Sequence, residues 1–292
     1  LNCLETPGTK EMSTREDVIC NEVRVNRIRL LLIAGVTLAA ITAVAFVPRV
    51  PQSDAYHNFA DQRSMFGIDN GFNVISNLAF LVVGISGLLF IASPHSRRSF
   101  VRSSERWPYF AFFVGVTLTC FGSAYYHLAP STERLMWDRL PMTIAFMSLL
   151  AATIAERISS KAGLLLLAPL MSIGAGSVIY WHSSEQSGNG DLRPYILVQY
   201  YAALIIVLIV MMFPSRLMRS SSLAGALFFY AFAKVLELLD SPVFSFGGIV
   251  SGHTLKHLSA AVSVWFILHM LRRRKPTAVA SMRGSAGILP AS

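Results

Sequence analysis

Charge is scarce in this chain of 292 residues: Asp, Glu, Lys and Arg together make up 14% of it, where a typical soluble domain has about 25%. Hydrophobic residues make up 53%, and the mean hydropathy is +0.52. So few charges cannot cover a water-soluble surface. Acidic residues are the rarer sign, 16 against 25 Lys and Arg, which leaves a net charge of +9. Cysteine is nearly missing. Cys3 and Cys20 lie in a polar leader and Cys120 in an apolar run, which excludes a disulfide framework and a Cys-based zinc module. No basic stretch is interleaved with aromatic residues, so nucleic acid is not expected as a partner. The leader lacks a basic segment running straight into an apolar stretch and a small-residue cleavage site, so it is not expected to be a cleaved signal.

What the chain has in quantity is long apolar runs. A helix needs about 20 mostly apolar residues to cross the hydrocarbon core of a bilayer. Eight runs approach that length, at 30–47, 72–92, 108–127, 140–155, 162–181, 195–213, 223–239 and 254–271. The last two are interrupted by Lys234, Glu237, Lys256 and His257. Short linkers with Pro94, Pro108, Pro214 and the 220–222 serine run separate the helices. An all-α polytopic membrane protein is therefore predicted, with a seven-helix core over 54–272 and an extra N-terminal span at 30–47. A cytoplasmic leader at 1–29 and a basic cytoplasmic tail at 273–292, both polar and aperiodic, are expected to be disordered.

Eighteen cationic residues fall on one set of alternating segments: Lys10 to Arg29, Arg97 to Arg106, Arg157 and Lys161, Arg216 and Arg219, and the tail. The other set holds five: Arg49, Arg63, Arg134, Arg139 and Arg193. By the positive-inside rule both termini are cytoplasmic.

Ionisable residues inside spans are costly, and each is a functional candidate by default. Gly122-Ser123-Ala124-Tyr125-Tyr126-His127 ends one span, and Trp137-Asp138-Arg139-Leu140-Pro141-Met142 opens the next. Ser123 and His127 are four apart and share a helix face; His253 and His257 repeat that spacing at the start of the last span. Two His at i and i+4 can hold one metal ion. The topology places all five residues at outer helix ends, so three separate segments converge at one depth. Three His ligands with an open fourth position is a catalytic zinc arrangement. A lone His in an apolar helix is more often a hydrogen-bonded packing residue, and His57, His95, His182 and His269 are read that way or as loop and interface residues.

Two further clusters have bland readings. Asn73, Ser76 and Asn77 can line one helix face and hydrogen-bond to a neighbouring helix. Lys234 and Glu237, three apart, can form an internal ion pair. Asp240 reaches the outer boundary and could orient a ligating His.

The runs N-x-x-S-N, G-S-x-x-Y-H, W-D-x-L-P-M, K-x-x-E-x-x-D and H-x-x-x-H, in this order over about 54–272, resemble the alkaline ceramidases of the CREST superfamily of seven-helix membrane hydrolases. The resemblance implies a zinc ion on His127, His253 and His257, with Ser123 and Asp138 completing the site. It also implies hydrolysis of the amide bond of ceramide or a related N-acyl lipid taken from the bilayer, releasing a fatty acid and a sphingoid base or amine. A structural calcium near the first core helix is implied too, with Asp61, Asp69 and Asn70 as candidate oxygens. Asn70 stands where the family carries an acid, and the preceding loop is shorter.

On this reading zinc-activated water attacks, Asp138 serves as general base and then acid, and Ser123 stabilises the oxyanion. A Ser123 nucleophile has no dedicated activating base. Tyr125, Tyr126 and Trp137 are read as interfacial belt residues. The competing class is a zinc-containing receptor or sensor of the progestin and adipoQ type, which shares the helix count. A transporter site usually lies near the midplane on broken helices, and this cluster does not. The sequence leaves the exact lipid and the oligomeric state open.

Overall fold

The computed structural model describes residues 10–214 and 221–274. The cationic residues Arg216, Arg219, Lys275 and Arg283 lie outside the described residues, as do 1–9 of the leader and the tail beyond Arg274. The described chain divides into two units, at Pro48. Among its described residues the first holds one helix, α1, Lys10–Phe46. It begins well before the apolar run expected at 30–47, because neither Pro nor Gly interrupts residues 10–34 and nothing in the backbone stops helix propagation.

The second unit, Arg49 onward, holds α2 (Gly71–Ile75), α3 (Leu78–Ala92), α4 (Arg106–Leu128), α5 (Thr132–Arg157) and α6 (Ser160–Gln186). It continues with α7 (Arg193–Met212), α8 (Ser221–Leu238), α9 (Asp240–Gly247) and α10 (Gly252–Arg273). Among the described residues seven helices are long and apolar enough to span a membrane, or eight if the bent pair α8–α9 counts as one span. With large apolar side chains such as Val82, Leu89, Phe121, Leu165, Ile173 and Phe228 exposed along these helices, the chain is an integral, multi-pass, all-α membrane protein.

Serine caps start several spans. Ser131 accepts from the Arg134 amide at 3.3 Å and opens α5, and Ser251 accepts from the Thr254 amide at 3.1 Å and opens α10. Consecutive helices α3 to α6 pack side by side, α7 lies against α5 and α6, and α10 packs between α8 and α3. Phe80, Phe113, Val116, Ile267 and Leu271 form the shared core of α3, α4 and α10.

One expected span is broken, and another, at 72–92, remains a single span, Gly71–Ala92, with a local interruption of its helix. That interruption falls after Ile75, where Ser76 Oγ and Asn77 Nδ2 bond back to the Asn73 carbonyl at 3.0 and 2.7 Å and compete with the helix ladder. The run ending near 239 bends by 76° between Leu238 and Asp240. Pro242 has no amide to continue α8, and the Asp240 carboxylate is tied elsewhere. The short α9 that results was not foreseen, since eight residues closing at Gly248 (φ 63°) carry too little periodicity to separate from a loop.

Candidate metal centre

The C-terminal end of α4 meets the N-terminal ends of α5 and α10. A Cβ on Gly122 would collide with the Trp137 carbonyl oxygen, so only glycine lets α4 approach α5 closely enough to set Ser123 beside Asp138. Ser123 and Asp138 line the same cavity. One turn on, His127 comes into contact with His253 and His257. Their ring centroids lie 4.8, 5.1 and 4.9 Å apart pairwise. His127 Nε2 and His253 Nε2 are 3.3 Å apart. All three imidazoles are buried and can present one nitrogen each within 4.8 Å of the others, and among the described residues this is the only such cluster of His, Cys, Asp or Glu.

Hydrogen bonds behind the cluster orient it. Ser76 Oγ lies 2.8 Å from His257 Nδ1 and gives its one proton to the Asn73 carbonyl. It therefore accepts from His257 Nδ1–H, which leaves the His257 Nε2 lone pair free to face the cluster. Asn73 accepts from Thr254 Oγ1 at 2.9 Å and donates to the Asp61 carbonyl at 3.2 Å, joining α2, α10 and the loop before α2. Thus Asn73 and Ser76 do bond across helices, as their bland reading expected, while Asn77 turns back onto its own helix. Asp240 accepts from the His253 amide at 2.7 Å and the Ala60 amide at 2.9 Å. It orients His253 through the backbone and not through the imidazole. Phe59, carried on that same loop, packs against His127 and His253 at 4.7 and 4.4 Å between centroids.

The donor set fits zinc: three buried imidazoles, no thiolate or carboxylate among them, and His127 Nδ1 without a hydrogen-bond partner among the described residues. The calcium expectation does not fit. Both Asp61 oxygens are taken by the Arg63 guanidinium, each at 2.8 Å, and Arg63 also reaches the Ile249 carbonyl at 2.8 Å. Asp69 accepts from Ser64, and Asn70 donates its amide to the His127 carbonyl at 3.1 Å. An arginine thus occupies the carboxylate a calcium ion would need, and Asp61, Asp69 and Asn70 form no oxygen cage. The guanidinium hydrogen bonds hold the Asp61 carboxyl below its ordinary range, against the opposing effect of burial.

Beside the His cluster lies a cavity of about 520 Å³ inside the bundle. Ser123, Asp138 and His257 line its polar end; Phe112, Val116, Ile206 and Ile267 line its apolar length. Lys234 and Glu237 pair at 2.8 Å, as their spacing predicted, and Lys256 joins them at 2.7 Å. That third member was not foreseen, because Lys256 is 19 residues from Glu237 and only the α8–α10 packing brings them together. The other histidines of the core unit play other parts. His57 bridges the Tyr126 and Thr132 hydroxyls at 2.9 and 3.1 Å, so it is a packing residue. His269 stacks on Trp265.

Fold and site together define a polytopic membrane protein with a buried three-histidine cluster able to hold a metal at the end of an apolar cavity. A family model described as Ceramidase matches residues 68–233, more than half of the chain. The chain belongs to the ceramidase family. Membership supports a ceramide-hydrolysing activity, an amide hydrolase acting on a membrane lipid. The match includes Ser123, His127 and Asp138 and ends before His253 and His257. No curated protein matches the chain.

Proposed function

We propose that the protein is a zinc-dependent hydrolase cleaving the amide bond of ceramide or a related N-acyl lipid. The reading rests on one meeting: three buried imidazoles beside Asp138 and Ser123 at the polar end of an apolar cavity. His127, His253 and His257 would hold the metal. Bound there, zinc would act as a Lewis acid and lower the pKa of its water to about 7. Asp138 accepts the proton of the attacking water at its carboxylate and returns it to the leaving amine. The Ser123 hydroxyl donates a hydrogen bond to the amide oxygen as charge develops on it. Ser76 holds the His257 tautomer, and Asp240 holds the turn that presents His253. The acyl chain lies along Phe112, Val116 and Ile267, which keep bulk water from the reacting carbon. The charge asymmetry of the loops supports a cytoplasmic location for both termini and an outer-side location for this site.

Fatty acid release from ceramides and other N-acyl lipids by the detergent-purified protein, with His253→Ala alongside, tests the reading. Release that vanishes in the variant supports a zinc amidase. No release from any lipid, with about one zinc bound per chain, would sink it in favour of a zinc-containing receptor.

A further inference from the structure

Arg139 stands at the open position of the W-D-x-L-P-M run and reads in the sequence as one of the five outer cations. The structure places it inside α5, 5% exposed, on the wall of the cavity that Asp138 also lines. Its guanidinium sits in a box. The ring centres of Trp181, itself fully buried, and Tyr195 lie 4.2 and 4.6 Å from it, and that of Tyr56 lies at 5.5 Å. Nη2 donates to Gln52 Oε1 at 2.7 Å. The box is tied together from behind, because Glu185 Oε1 accepts from the Gln52 amide at 2.6 Å and from Trp181 Nε1 at 2.9 Å. Arg139 Nη1, by contrast, is buried with no hydrogen-bond partner among the described residues.

A guanidinium donates through five N–H groups and accepts through none. Three ring faces and the neighbouring Asp138 carboxylate already stabilise its charge, so a further anion is not what this corner lacks. It lacks a neutral acceptor for Nη1, and a buried charged donor left unmet is costly. The box also fixes the guanidinium before any ligand arrives, so little rotamer freedom is lost on binding. The hydrolase reading gives the amide oxygen to Ser123 and the apolar length of the cavity to the acyl chain. The acceptor that remains on a neutral N-acyl lipid at this end is a hydroxyl on its amine half.

Resting on that reading, we propose that Arg139 is a specificity-determining residue whose Nη1 donates to a neutral hydroxyl on the amine half of the substrate. The protein prefers N-acyl lipids with a hydroxylated amine half over analogues in which that hydroxyl is replaced by hydrogen, because the analogue leaves the buried donor unpaired.

Ceramide compared with its 1-deoxy and 3-deoxy analogues tests this. Removing one of the two hydroxyls should lower kcat/KM about tenfold in wild type, the size of one hydrogen bond to a charged group, in KM more than in kcat. The analogue that responds names the hydroxyl. Arg139→Met and Arg139→Gln should handle ceramide and that analogue alike, with zinc content preserved. Fluorescence anisotropy of a labelled ceramide and its deoxy analogues, on wild type and both variants, supplies a readout that needs no turnover. Equal handling of all three lipids by wild type in both turnover and binding overturns the subsite, whatever the variants do. So does a hydroxyl preference that survives undiminished in either variant. Failure to cleave any lipid, with hydroxyl-selective binding present in wild type and lost in the variants, would sink the hydrolase reading and leave the subsite standing.

Discussion

The same three helices bury polar groups at both ends, and the two ends treat them differently. At one end Tyr109 of α4, Glu156 of α5 and Arg274 just beyond α10 come together. Arg274 pairs with Glu156 at 2.6 Å, and the Tyr109 hydroxyl donates to Glu156 at 2.9 Å. At the other end, about 27 Å along α5 by its rise per residue, His127, Asp138, His253 and His257 converge. One end matches cation to anion. The other gathers three imidazoles with no acid among them, next to about 520 Å³ of space lined also by the Lys234–Glu237–Lys256 triad. Matched charge locks helices together; unmatched donors and acceptors facing a cavity are what a ligand requires. The contrast separates structural from functional polar burial in a chain that can afford little of either.

Breaking the cavity end should abolish chemistry. His127→Ala and Asp138→Ala are expected to lower turnover by about a thousandfold or more. Zinc content by elemental analysis separates them: His127→Ala loses the metal and Asp138→Ala keeps it. Near-full activity in either would contradict the assigned roles. Ser123→Ala should keep zinc and lose about 10²–10³ in kcat, the range for a single oxyanion donor; a change confined to KM would argue against that part.

Breaking the opposite end should leave chemistry intact. Arg274→Met strands a buried Glu156, so a loss of about 3 kcal/mol in stability is expected, with zinc content and turnover per folded molecule preserved. A variant that folds with undiminished stability but loses zinc would erase the distinction between the ends.

The smallest effects belong to the Asp61–Arg63 pair on the loop behind the cluster. Calcium chelation should leave the melting temperature unchanged, because Arg63 occupies the Asp61 oxygens; a marked drop reversed by calcium would contradict this. The Asp61 carboxyl is held below its ordinary value by Arg63, so its contribution is complete above about pH 4 and lost as pH falls through the lowered folded value. Melting curves between pH 6 and 3 should therefore steepen less in Arg63→Met than in wild type.

Sequence alone determined the class of molecule, since apolar run length and charge scarcity are set by the bilayer and need no tertiary information. It also made the reactive groups legible. His127 with Ser123, and His253 with His257, announce themselves because an i, i+4 spacing fixes two side chains on one face before anything packs. Their expected convergence is what the fold then displays. Spacing carried no information about Lys256 joining Lys234 and Glu237, about Arg63 filling the place expected for calcium, or about Ser76 setting the His257 tautomer. These depend on which helices become neighbours and on close approaches such as Gly122 against Trp137. The bend at Asp240 is of the same kind: Pro242 marks a break, but only the amides of Ala60 and His253 decide where the chain turns. Local spacing reaches one turn along a helix, and contacts between residues tens to hundreds of positions apart exist only once the bundle has closed.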